Sequence, residues 1–188
     1  MGAGIPAEKS MDDFKTLHAS GINHYRAGRH ADAACAFDQA QSAAQAAGER
    51  RQEAEALNDL GVARRELGEW EAAEAALARA RDLFAGLPDG KGEAQAIGNL
   101  ASVYEGRRDY PAAADAYRES ARMFEQLGES EMAMYSWQAL SRLHLDQKAW
   151  VPAIAAYEEG IEAMPDGSLK KGLLQRLVRL PGKWFLGG

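Results

Sequence analysis

The chain has 188 residues, long enough to bury a core, and its 46% hydrophobic and 27% charged residues are typical of a globular protein. A net charge of −6 argues against nucleic acid as the main partner, and one cysteine, Cys35, excludes an internal disulfide framework. The sequence lacks a signal peptide and lacks the run of about 18 apolar residues that a membrane-spanning helix needs, so we expect a cytoplasmic protein.

Strong helix formers dominate the chain and proline is scarce, which predicts an all-α fold. The first helix is expected to start near Ser10, with Asp13 completing a capping box. A ninth helix is predicted over residues 169–180, stopped by Pro181. The eight helices before it are predicted at 12–27, 30–47, 52–67, 70–86, 91–107, 110–127, 130–147 and 150–164.

Residue types recur at a spacing of 40 across four successive segments, which indicates tandem repeats. Some positions carry a small residue in every repeat, and these small columns would let two helices approach closely. Other positions carry a bulky residue, and these bulky columns would fill the space around the helices. The small columns are Gly21, Gly61, Ala101 and Ser141, then Ala33, Ala73, Ala113 and Ala153. The bulky columns are Leu17, Leu57, Ile97 and Trp137, then Phe37, Leu77, Tyr117 and Tyr157, and then His30, Trp70, Tyr110 and Trp150.

The turns inside the predicted helix pairs differ between the two halves of the chain. Gly28 and Gly68 stand where a helix end favours glycine. Arg108 and Lys148 occupy the same column in the later repeats, which weakens the turn signal there.

These columns resemble the tetratricopeptide repeat over roughly residues 12–168. The sequence from Ala56 to Gly61 is similar to kinesin light chain-type repeats, whose period is also near 40. The resemblance implies an all-α, right-handed superhelical solenoid of four helix hairpins plus a C-terminal capping helix. The expected segments are a disordered 1–11, hairpins at about 12–51, 52–91, 92–131 and 132–168, and a basic amphipathic tail at 169–188.

The resemblance implies a scaffold or adaptor that binds a peptide segment of another protein on its concave wall, which the first helix of each hairpin lines. Similar asparagines in this family hold the main chain of a bound peptide, which singles out Asn58 and Asn99. The alternative for both is an exposed helix residue with no partner. The expected wall residues are Lys15, His18, Ile22, Tyr25, Glu55, Asn58, Asp59, Val62, Arg65, Gln95, Asn99, Ser102, Glu105, Tyr135, Gln138, Arg142 and Leu145.

No residue pattern predicts catalysis, a metal or a cofactor. His18, His24 and His30 are six residues apart, which puts them on different helix faces and does not fit a zinc site. Cys35 lies among alanines and is expected to be a buried, inert thiol. We also expect Trp70, Trp137 and Trp150 to pack in the core. The chain is therefore predicted not to be an enzyme.

The C-terminal tail (residues 169–188) carries five cations, no acidic residue and a leucine stripe at helical spacing. It can cap the repeat array, fill an acidic groove or contact an anionic membrane weakly. The alternative function is accordingly a peripheral membrane or complex-assembly factor docked through this tail. Self-association is also left open.

Overall fold

The computed structural model describes residues 7–88, 90–164 and 171–172, and within these ranges every regular element is helical. The predicted all-α helical-repeat class is confirmed. The eight helices are α1 (Ala7–Arg26), α2 (His30–Ala47), α3 (Arg50–Glu66), α4 (Trp70–Ala85), α5 (Gly90–Gly106), α6 (Tyr110–Gln126), α7 (Ser130–Asp146) and α8 (Trp150–Glu162).

Five of the eight helices begin at the predicted residue, and the first does not. α1 begins at Ala7, so the predicted start near Ser10 is wrong and Ser10 lies inside the helix. Ala, Glu and Lys at positions 7–9 are strong helix formers, and an acidic residue in a first turn interacts favourably with the helix dipole. The ninth helix and the C-terminal tail lie outside the described residues, apart from helical residues 171–172.

Six turns between helices share one geometry, spaced at multiples of 20 residues. At Gly28 the backbone is left-handed, the Gly28 N–H donates to Tyr25 O at 2.9 Å, and the Arg29 N–H donates to His24 O at 3.0 Å. This pair of bonds is the Schellman motif, which satisfies the last carbonyls of a helix. Gly48, Gly68 and Gly128 adopt the same positive φ.

Arg108 and Lys148 adopt the same left-handed conformation as the glycines, with φ of 63° and 59°. Their turns keep the same bonds, for example from the Asp109 N–H to Tyr104 O at 2.9 Å. The weaker turn signal at these two positions therefore does not change the turn. The non-glycine residues carry the steric cost of a left-handed backbone instead.

The chain divides into two compact units, an N-terminal unit of residues 1–119 and a C-terminal unit of residues 120–188. In the N-terminal unit each helix from α1 to α5 packs against its neighbour in the chain, and α3 also contacts α1 and α5. The core includes Phe37, Leu57, Leu60 and Phe84, all nearly inaccessible to solvent. Helices adjacent in sequence are thus adjacent in space.

The small columns are explained by close packing between the two helices of a hairpin. A Cβ atom added to Gly21 would lie 2.5 Å from Phe37, and one added to Gly61 would lie 2.4 Å from Leu77. Both distances are far shorter than a van der Waals contact. Glycine at these positions lets a bulky side chain of the second helix lie directly against the backbone of the first.

The C-terminal unit contains α7 packed against α8. Trp137 is 4% exposed and its indole N–H donates to Glu125 at 2.7 Å. The buried Ser141 hydroxyl donates to Ala153 O at 2.7 Å, which ties α7 to α8. Lys171 donates to the carbonyls of Glu162 and Met164 at the end of α8, where the helix dipole favours a cation.

Candidate functional site

A chain of hydrogen bonds links the first helices of three successive hairpins in the N-terminal unit. His18 on α1 donates from Nε2 to Asp59 Oδ2 on α3 at 2.9 Å. On α3 the Asn58 amide donates to Asp59 Oδ1 at 3.3 Å, and from α5 the Asn99 amide donates to Asn58 Oδ1 at 2.9 Å. We call these four residues, His18, Asn58, Asp59 and Asn99, the polar network.

The polar network is partly buried, which explains why its members bond to each other. Asn58 is 5% exposed, and a buried amide without partners is costly. The Asp59 side chain is 33% exposed and that of His18 is 19% exposed. Asn58 therefore connects neighbouring helices, while the Asp59 side chain also faces solvent.

An apolar pocket of about 170 Å³ lies beside the network and includes Asp59 in its wall. We call it the Tyr25 pocket. Phe37, 2% exposed, lies in its lining because Gly21 leaves room for the ring. Burial raises the pKa of the Tyr25 hydroxyl, and Glu66 adds to the rise while Arg65 opposes it. The lining residues are Ile22, Tyr25, Phe37, Asp59 and Val62.

A second group of polar side chains joins α5 to the middle of α6. The buried Tyr117 hydroxyl donates to Glu105 Oε2 at 2.8 Å and lies 3.0 Å from the Ser102 hydroxyl. Ser102 also reaches the carbonyl of Gly98 at 3.4 Å. Ser102 and Glu105 are thus held by the packed aromatic residue of the next helix.

The comparisons with known proteins agree with the helical-repeat fold. A sequence model of the tetratricopeptide repeat matches residues 52–126. The chain is similar to the crystal structure of MamA, with a TM-score of 0.60 and 21% identity over 80% of this chain and 77% of that one.

Residues 52–126 carry tetratricopeptide repeats.

A further similar structure is the APC/C hetero-tetramer Cut9–Hcn1, with a TM-score of 0.49 and 18% identity. That similarity covers 87% of this chain and 36% of the other. No curated protein matches the sequence. Tetratricopeptide-repeat proteins are in general protein-interaction scaffolds rather than enzymes, and this chain has the fold of that class. The similarity to kinesin light chain-type repeats stays a prediction.

The tetratricopeptide fold brings together the predicted wall residues of α1, α3 and α5 in the N-terminal unit. Lys15 and Gln95 are exposed, whereas Ile22, Tyr25, Val62, Arg65, Asn99 and Ser102 are partly buried. Arg65 pairs with the neighbouring Glu66. The predicted residues of α7 belong to the C-terminal unit, where Tyr135 and Arg142 are exposed and Gln138 is partly buried.

Two expectations about individual side chains are wrong. Trp150 is 63% exposed, because among the described residues nothing covers the start of α8, whereas Trp70 is partly buried against Gly106. Cys35 is exposed and lies 3.6 Å from the Gln39 amide, since it occupies the outer face of α2. Trp137 is buried as expected.

Sequence reasoning missed an apolar surface on α8 of the repeat protein. Trp150, Val151 and Ile154 are all exposed. A groove of about 300 Å³ lies next to Ile154 and is lined by Ser141, Leu145, Ala153, Ile154 and Tyr157. The sequence signal was Ile154, an apolar residue on the outer side of α8, since the equivalent residue of α4 is Glu74.

Neither a metal-binding cluster nor a membrane span is found in the part of the chain that the structure describes. His18 pairs with Asp59, and His24 accepts a hydrogen bond from Arg29 at 3.0 Å and lies 3.5 Å from Asp32. Each of these two histidines thus contacts a nearby aspartate.

Proposed function

We propose that this protein binds a peptide segment of a partner protein on the first-helix face, the surface of α1, α3 and α5 that carries the polar network and the Tyr25 pocket. The observation that carries the proposal is the direct link between the two features. Asp59 belongs to both, so a polar hydrogen-bonding strip and an apolar pocket form one continuous surface.

The chemistry of this face suits an extended or helical peptide. Interfaces combine an apolar anchor that fills a pocket with a surrounding set of hydrogen-bonding groups. The pocket provides the first, and the half-exposed Asp59 and Asn99 together with the exposed Gln95 provide the second. Asn58 supports this strip from below, because its amide already bonds to Asn99 and Asp59.

A preformed face lowers the cost of binding. Tyr117 orders Ser102 and Glu105, and His18 orders Asp59, so these side chains lose little conformational freedom when a peptide arrives. The proposed role is therefore an adaptor or scaffold in the cytoplasm, acting through recognition and without catalysis.

Site-specific photo-crosslinking tests which surface meets the partner. A photoreactive amino acid is placed at Lys15 or Gln95, which are exposed on α1 and α5, and the full-length protein is irradiated in native lysate. We expect crosslinked products of a defined size from both positions. A competing excess of unlabelled wild-type protein should abolish them.

The matched controls carry the same photoreactive group at Asp38 or Asp82, which are equally exposed but lie on the second helices α2 and α4. These positions should give no product of that size. Equal crosslinking from the second helices, or products from them alone, would show that the first-helix face is not the binding surface.

A further inference from the structure

The Tyr25 pocket is a feature of one place in the repeat array and does not follow from the repeat itself. One repeat later, the same columns hold Val62, Arg65, Leu77, Asn99 and Ser102 in place of Ile22, Tyr25, Phe37, Asp59 and Val62. Three changes matter there, since Arg65 replaces an aromatic wall, Asn99 replaces a carboxylate and Ser102 replaces an apolar side chain. The first position is thus both more apolar and more acidic than the second.

The size of the Tyr25 pocket sets the size of what it can hold. A cavity of about 150 Å³ lined by apolar side chains accommodates a benzene ring. The Tyr25 pocket, at about 170 Å³, has room for one bulky apolar side chain such as leucine, methionine or phenylalanine. Its walls come from three helices, α1, α2 and α3, so a bound side chain would contact residues of all three.

The charge at the rim of the Tyr25 pocket determines which kind of peptide residue is favoured next to the bound apolar side chain. Asp59 is bonded by His18 and Asn58, and within the described residues it pairs with no lysine or arginine. Arg65, the nearby cation of the same face, is already paired with Glu66. The carboxylate therefore lies beside an apolar cavity with an imidazole and an amide as its partners and, among the described residues, no lysine or arginine.

We infer that the Tyr25 pocket selects peptides in which a bulky apolar side chain is followed or preceded, within one or two positions, by lysine or arginine. The apolar side chain fills the cavity and the cation reaches Asp59. This inference rests on the proposed function and adds the chemical class of the peptide. The overall net charge of −6 favours the approach of such a basic segment.

Selection from a phage library of random dodecapeptides against the immobilised full-length protein tests the inference. The expected result is enrichment of an apolar residue next to lysine or arginine. The affinity of the consensus peptide is then measured by fluorescence anisotropy for four variants. Two of these, Asp59→Asn and Val62→Ser, introduce the residues that the next repeat carries at the same columns, namely Asn99 and Ser102.

Both variants should lower the affinity for the consensus peptide about tenfold, because Asp59→Asn removes the carboxylate that binds the cation and Val62→Ser removes an apolar wall of the pocket. A peptide whose cation is replaced by glutamine should bind wild type and Asp59→Asn within about twofold, which couples that cation to Asp59. The control, Asp115→Asn, removes the same charge from an exposed position of α6 and should leave the affinity unchanged.

The outcomes separate this inference from the proposed function. Selection could instead yield peptides that lack the apolar and basic pair. If these peptides bind Asp59→Asn normally but no longer bind Gln95→Arg, the pocket specificity is overturned and the first-helix face remains the binding surface. Peptides insensitive to all of these substitutions would overturn both. Circular dichroism and thermal melting of each variant show whether the fold is intact.

Discussion

Two helices at the same place in the repeat, α4 and α8, differ in what covers them. In α4, Trp70 lies against Gly106 of α5, and Phe84 lies against Gly92 of the same helix. In α8 the equivalent residue, Trp150, is largely exposed, as are Val151 and Ile154. The burial of a repeat column therefore depends on what packs against it, since Trp70 is partly buried and Trp150 is exposed at the same column.

The largest expected effect comes from truncating the two tryptophans. Trp70→Ala removes a ring that packs on α5 and should lower the free energy of unfolding by about 3 kcal/mol. Trp150→Ala should lower it by less than about 1 kcal/mol, because most of that ring is in contact with solvent. Urea denaturation followed by far-UV circular dichroism measures both values.

A loss of similar size in the two variants would contradict the comparison, because it would mean that Trp150 is covered in solution. Val151→Ala, at an exposed position of the same helix, serves as a matched control for α8. Its effect should be no larger than that of Trp150→Ala.

A smaller effect is expected from the polar network. Asn58→Ala removes the amide that bridges Asp59 and Asn99 and leaves a cavity at a buried position, so we expect a loss of about 2 kcal/mol. Gln138→Ala, at the same column in α7 of the C-terminal unit, should cost less than about 0.5 kcal/mol. Thermal melts of the two variants compare them directly. Equal shifts would show that the network adds nothing to stability.

The smallest effect is expected at the turns. Arg108→Gly should stabilise the protein by about 0.5 to 1 kcal/mol, since glycine adopts a positive φ without steric cost and the Schellman bonds stay in place. Gly28→Ala should destabilise it by a similar amount at an equivalent turn. Differential scanning calorimetry resolves shifts of this size. A fall in melting temperature for Arg108→Gly would mean that the arginine side chain stabilises the turn by other contacts.

Much of the fold follows from particular residues of the sequence. Gly21 and Gly61 indicated close helix packing, and Phe37 and Leu77 lie against them as the column spacing required. The start of α1 was less predictable, because strong helix formers before Ser10 extended the helix beyond the expected cap.

The candidate site was only partly predictable. Helical spacing placed His18, Asn58, Asp59 and Asn99 on one face. It did not reveal that they bond to one another, since the His18–Asp59 and Asn58–Asn99 contacts join helices a whole repeat apart. Nor did it reveal the Tyr25 pocket, which needs Phe37 from a second helix beside residues of two first helices.

By itself the sequence determined the helical class, the 40-residue period and the interior columns, because these depend on local propensity and on spacing along one helix. Tertiary structure alone decided which polar side chains are satisfied, where the Tyr25 pocket opens and why Trp150 is exposed while Trp70 is not. The reason is that burial and hydrogen bonding depend on the distance between helices, and this distance is set by side chains that lie far apart in the chain.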